Sequence, residues 1–181
     1  MTQQVQDWFG DDFYELHPLL QQIHLNGGHL SGDVVVSFGS GLGGLVGKRL
    51  AAKLGVPTQA GKHCIDVNIS HDEQGLHWGR CFNQGREFIS LFEPVGKKAE
   101  AGYWVERSGA LAMTFTVEVK EGGWYWHCTS TRLGKLKLPL FLLPKSDSYK
   151  CIENERYVFN VSFSLPILGK LLTYSGGLEL Q

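Results

Sequence analysis

Gly39-Ser40-Gly41-Leu42-Gly43-Gly44 spells a G-x-G-x-x-G between the β-branched run Val34-Val35-Val36 and an amphipathic stretch that ends at Leu54. In a dinucleotide-binding unit such glycines let the backbone approach a pyrophosphate at a helix N-terminus. That chemistry also requires a parallel strand ending in an acidic residue, and then further βαβ units. Here Asp66 falls inside an alternating segment, and hairpin signals follow it along the chain. Alternation is not the near-continuous apolar pattern of a parallel strand, and a lone fingerprint is a weak signal. The glycines therefore read as a turn into a helix that covers a sheet, and no cofactor is expected there. Lys48 and Arg49 could offer an anion or a lipid headgroup a contact at the helix start.

Arg80 is the next candidate, because it shares a row with Leu76, Trp78 and Phe82 and so faces an apolar interior. A buried arginine needs a partner, and Glu106 in "WVERSG" is one. Glu106 and Arg107 point to opposite faces if that segment is a strand, so at most one of them shares a cavity with Arg80. The bland reading is a buried ion pair that fixes sheet register. The functional reading is a carboxylate-binding or acid–base site, lined by Trp78 and Trp126 with His127 nearby. Trp104 and Trp124 could also line it, although strand aromatics are most often core.

Other chemistry finds less support. His63, His71 and His77 are too loosely spaced for a zinc signature, so no metal is expected. There is no G-x-S-x-G, and no cysteine carries a local base signature. Cys64, Cys81, Cys128 and Cys151 are far apart, which predicts free thiols in a reducing compartment.

The elements that must position these residues follow from periodicity. Phe13, Leu16, Leu19, Leu20 and Ile23 predict a helix over 11–25, with Pro18 as an alternative start and Asn26-Gly27-Gly28 as the stop. Leu42, Leu45, Val46, Leu50 and Leu54 predict the apolar stripe of a second helix, ended by Gly55 and Pro57. From His63 the period becomes two. Alternating segments at 63–69, 76–82, 88–92, 103–107, 111–120, 124–133, 157–165 and 171–180 are separated by turn signals such as Asp72-Glu73-Gln74-Gly75 and Glu121-Gly122-Gly123. The fold class expected is α+β, mostly β. It comprises a curved antiparallel sheet, or a closed or partly open β-barrel, of about eight or nine strands with two N-terminal helices.

"RLGKLKLPLFLLPK" places Leu140, Phe141, Leu142 and Leu143 between Pro139 and Pro144, with lysines on both sides. Such a segment suits a loop that dips into a membrane surface or lids a cavity. A buried crossover is the plainer alternative. "LPILGKLL" at 165–172 repeats the style, and together they predict one greasy end of a barrel.

The chain has 181 residues, 43% hydrophobic and 19% charged, with 17 basic and 18 acidic side chains for a net charge of -1. These values describe one globular domain over 1–181 and no nucleic-acid footprint. The polar, acidic N-terminus predicts no secretory signal, and no apolar stretch reaches the ~20 residues of a membrane span. Cytoplasmic localisation is the expectation.

Several segments in order carry a resemblance: "LHPLLQ", "GVPTQAG", "HWGRCF", "VERSGAL", "RLGKLKLPLFLLP" and "FNVSFSLPILGKLLTYSGGL". Together they resemble the bacterial domain family DUF4166, from about Phe13 to Leu180. In that family the domain often follows a saccharopine-dehydrogenase-like portion, so the resemblance implies a partner oxidoreductase or its substrate, and it transfers no catalytic residue. The expected function is a binding module for a hydrophobic or amphipathic small molecule, with lipid and peripheral membrane contact among the possibilities. The rivals are a domain that docks on such an oxidoreductase, and an enzyme using Arg80, Glu106 and His127 at a barrel mouth.

Overall fold

The computed structural model describes residues 4–108, 111–138 and 145–181. Helix α1 (Gln4–Phe9), a 3₁₀ turn (Gly10–Glu15) and α2 (Pro18–Asn26) lead into β1 (Gly28–Phe38), after which α3 (Gly41–Lys53) intervenes. Then come β2 (Gly61–His71), β3 (Leu76–Phe82), β4 (Phe88–Val95), β5 (Tyr103–Ser108), β6 (Leu111–Lys120) and β7 (Gly123–Leu133). The chain ends with β8 (Leu136–Leu138), β9 (Lys145–Glu153), β10 (Arg156–Leu165) and β11 (Gly169–Leu180).

All neighbouring strands pair antiparallel, β1 lies between β2 and β11, and the β6–β7 pairing closes the sheet on itself. Among the described residues β8, one of eleven strands, pairs only with the far end of β7, so ten form the closed barrel. Closure removes the exposed edges an open sheet of this size would carry. The interior rows are those the alternation marks: Ile65, Val67 and Ile69 on β2, and Leu172, Tyr174 and Leu178 on β11, are buried.

Ten strands exceed the eight or nine that alternation suggests, and β9 explains much of the difference. Its inward positions are Ser146, Ser148, Lys150 and Ile152, so a single apolar residue at its end leaves no alternation to betray it. The structure also has three α-helices rather than two among the described residues, the additional one being α1 at Gln4–Phe9. The stretch 11–25 is split, because Pro18 takes the first position of α2 and the His17 imidazole Nδ1 accepts from the Leu19 N–H at 3.2 Å.

One end of the barrel is plugged. Trp8, Phe9, Phe13, Leu16, Leu20 and Ile23 are all buried there, with Phe9 edge-on to Trp124 at 4.6 Å and Trp8 edge-on to Trp104 at 5.4 Å. Gly27 ends α2 at φ +76°, and a Cβ there would stand 2.5 Å from the Ile69 carbonyl oxygen. Only glycine permits that turn into β1.

At the other end α3 lies against β11, and only part of the expected stripe faces inward: Val46, Leu50 and Leu54 pack against the core. Gly43, Gly44, Gly47 and Ala51 are buried, while Leu42 and Leu45 are exposed. A Cβ at Gly47 would fall 2.0 Å from the Leu171 carbonyl oxygen, and one at Gly39 would fall 1.8 Å from that of Lys170. The glycines let the helix backbone touch the strand backbone. Because β1 and β2 on either side of α3 pair antiparallel, no βαβ unit exists here.

Candidate functional site

Between the plug and α3 the barrel encloses a cavity of about 190 Å³. Its walls are mainly aromatic. Trp126 stacks on Phe92 at 5.4 Å and meets Phe115 edge-on at 5.5 Å, while Leu50 and Leu54 of α3 close one side. Bulky inward side chains from the strands fill a barrel of this size except where small ones intervene. Ser146, Ser148 and Thr131 are the small residues of this lining.

Arg80 faces inward and lines the cavity, but its hydrogen bonds do not go to Glu106. Its Nη1 donates to the Tyr174 hydroxyl at 3.1 Å, its Nη2 donates to Ser90 Oγ at 2.8 Å, and the guanidinium lies 5.3 Å from the Phe88 ring centre. Burial raises the Tyr174 hydroxyl pKa, and the neighbouring Arg80 offsets part of that rise. Glu106 lines the same cavity, whereas Arg107 turns outward and pairs with Glu93 at 2.8 Å. Trp78 and Trp126 also line it.

His127 does not join them. It alternates with Trp126 and Cys128, whose side chains face in, so it projects to the outer wall and bonds Glu118 at 3.1 Å. Leu140, Phe141, Leu142 and Leu143 lie outside the described residues. The Cys128 thiol lines the cavity, and burial pushes its pKa up, which keeps it protonated and poorly nucleophilic.

The residue that sequence reasoning missed is Lys150. It is 2% exposed and lines the base of the cavity, and its Nζ is 3.8 Å from the Trp124 ring centre and 4.2 Å from that of Trp78. Nζ donates to His24 Nε2 at 2.6 Å. His24 Nδ1 donates to the Leu20 carbonyl at 2.7 Å, which leaves Nε2 as the acceptor of a neutral imidazole. Burial holds Lys150 well below the ordinary lysine value. It does the same to His24, with Lys150 as the next cause. The tryptophan faces return part of the lost hydration to any charge on the amine.

His24 had a signal in the sequence, since it lies four residues after Leu20 on the buried face of α2. Lys150 had none, because an inward lysine among serines has the pattern of a solvated loop.

Buried donors complete the site. Trp78 Nε1, Arg80 Nε and the Tyr157 hydroxyl all belong to lining residues, and none has a hydrogen-bond partner among the described residues. Burial also drives the Tyr157 pKa well above the ordinary phenol value, so its proton stays in place.

A family model described as a domain of unknown function, DUF4166, matches residues 16–178. The chain belongs to this family. Comparison with curated proteins and with solved structures returned no match. In this DUF4166 domain the match begins at Leu16, in the plug, and ends at Leu178 on the last strand, so it takes in every barrel strand.

Proposed function

We infer that this DUF4166 domain is a binding module for a hydrophobic or amphipathic small molecule carried inside its barrel. The supporting observation is the aromatic-walled cavity of about 190 Å³ with buried donors on its lining. An apolar protein cavity of about 150 Å³ already takes up benzene, so this volume suits a ligand of one ring or a short acyl chain. Unsatisfied buried donors cost free energy. A ligand whose polar end presents acceptor oxygens, such as a carboxylate or carbonyl, meets Arg80 as the cation on this lining. Lys150 adds a further donor at the base.

Native mass spectrometry of gently purified protein, followed by organic extraction, tests the reading. A reproducible bound mass is expected, together with a rise in melting temperature on adding one member of a series from hexanoic to dodecanoic acid. Ser148→Phe, which fills the cavity, should abolish both. An apo mass with no thermal shift across the series would remove this function.

A further inference from the structure

The two ends of the barrel differ in charge as well as in covering. Segments 34–65, 122–146 and 156–178 contain no Asp or Glu. The first runs from β1 through α3 into β2, the second from β7 through β8 into β9, and the third makes the β10–β11 hairpin. All three turn at the end where α3 lies. They bring Lys48, Arg49, Lys53, Lys135, Lys145 and Lys170 to that end. Glu87 in the β3–β4 turn also lies there, next to Arg86. The plugged end carries Asp7, Asp11, Asp12, Glu15, Asp72, Glu73, Glu100, Glu121, Glu153 and Glu155, against Lys97, Lys98, Lys120 and Arg156, with Lys98 paired to Asp12. The net charge of -1 conceals this separation.

The basic end also exposes apolar side chains. Ile167, in the β10–β11 turn, is 95% exposed, and Leu42 and Leu45 on α3 are 69% and 52% exposed. The two segments that carry them touch. The positions where Gly43 would carry a Cβ lie 2.7 Å from the Leu168 carbonyl oxygen and 3.0 Å from that of Lys170, so the start of α3 rests on that turn. Leu42 and Leu45 are three residues apart and share a helix face. Lys48, one turn further, stands over the Phe38 ring at 6.0 Å and borders the patch. The outer wall of the barrel, by contrast, carries pairs such as Lys62–Asp33 at 2.8 Å and His127–Glu118 at 3.1 Å.

We propose that the α3 end of the barrel docks on an anionic membrane surface, inserting Leu42, Leu45 and Ile167 among the acyl chains while Lys48, Arg49 and Lys170 meet the headgroups. An apolar face bordered by cations is the arrangement that holds a helix in the interface plane. Charge complementarity selects the occupant. Anionic lipid attracts a nearby Lys or Arg by about 1 kcal/mol each, roughly fivefold in affinity. A glycine-faced helix suits this role, because it packs on the barrel by backbone contact at its start and leaves Leu42 and Leu45 free. The docking proposal does not depend on what the cavity holds. Docking would place the α3 end, where Leu50 and Leu54 line the cavity, next to the lipid phase.

The test is cosedimentation with vesicles of equal parts phosphatidylglycerol and phosphatidylcholine, beside vesicles of phosphatidylcholine alone. The intact protein should pellet with the anionic vesicles at low salt, lose that binding as salt rises, and stay in solution with the neutral ones. Leu42→Ser/Leu45→Ser/Ile167→Ser should reduce binding at least about tenfold, and Lys48→Glu/Arg49→Glu should do the same by reversing two charges. Tyr14→Ser, an equally exposed change at the plugged end, should leave it intact. All these positions face solvent, so unchanged urea midpoints are the control for folding. Failure to bind anionic vesicles at low salt would overturn the proposal and assign the patch to a protein partner. Equal binding to neutral vesicles, or full retention by both variants, would overturn it as well.

Discussion

Both ends of this barrel are covered by helices, and the two coverings work by opposite means. Leu20 and Ile23 of α2 are fully buried, and they sit among Trp8, Phe9 and Phe13 in a conventional apolar plug. α3 turns glycines to β11 and Leu42 and Leu45 to solvent, while Leu50 and Leu54 close one side of the cavity. The plug is held by side-chain burial, at roughly 25 cal/mol per Å² of apolar surface. α3 is held by close backbone approach, which needs the absence of side chains. A helix attached by its glycines keeps its outer face for other contacts, whereas a plug uses its apolar face up. The cavity lies between the two.

The largest effect that separates the ends should come from the plug. Phe9→Ala is expected to cost about 3–5 kcal/mol in urea unfolding, because it empties a buried ring site. If it costs as little as a surface change, the plug does not hold the fold and the comparison fails. Gly47→Ala should cost about 1–3 kcal/mol by overpacking. Its new Cβ meets backbone atoms of Leu171 at 2.0 and 2.6 Å, which no rotamer relieves. In an exposed helix the same change stabilises by about 0.5–1 kcal/mol, so the sign of the result decides whether the glycine face is a packing surface.

Where cavity and plug meet, Lys150 and His24 make stability depend on pH. The folded pKa of Lys150 lies below its value of 10.5 in an unfolded chain. Between the two values the unfolded chain holds a proton that the native protein lacks. Stability therefore rises with pH up to that unfolded value and falls on acidification, by about 1.4 kcal/mol per pH unit. His24 adds a loss of the same sign as pH falls below 6.5. Urea midpoints of the intact protein and Lys150→Met, compared from neutral pH to just below the lysine value, isolate the amine. The slopes should differ by up to one proton wherever the pH lies between the folded and unfolded lysine values, and equal slopes throughout would mean that Lys150 stays charged in its tryptophan box.

The smallest effect belongs to the α3 face. Leu42→Ser and Ile167→Ser should each change stability by no more than about 0.5 kcal/mol. A larger loss in urea unfolding would show that these side chains support the fold.

Much of the barrel was legible in the alternation of β2, β3, β6, β7 and β10, where one row is apolar and the other polar. The inward placement of Arg80, Trp78 and Trp126 followed from the same rows. The outward turn of His127 was equally readable from its neighbours, since adjacent strand residues cannot share a face. Strand β9 was not legible, because its inward row, two serines and a lysine before Ile152, has the composition of a loop. Glu106 and Arg80 share a cavity as their rows implied, but Arg80 finds its partners in Tyr174 and Ser90.

By itself the sequence determined the antiparallel β class and the facing of most strands, and offered Pro18 as one of two helix starts, because these depend on local sterics and a period of two. The closure of ten strands, the glycine face of α3, the pairing of Lys150 with His24 and the gathering of cations at one end were decided by tertiary structure. Each depends on segments far apart in the chain. Lys150 and His24 are 126 residues apart and touch only because the plug enters the barrel.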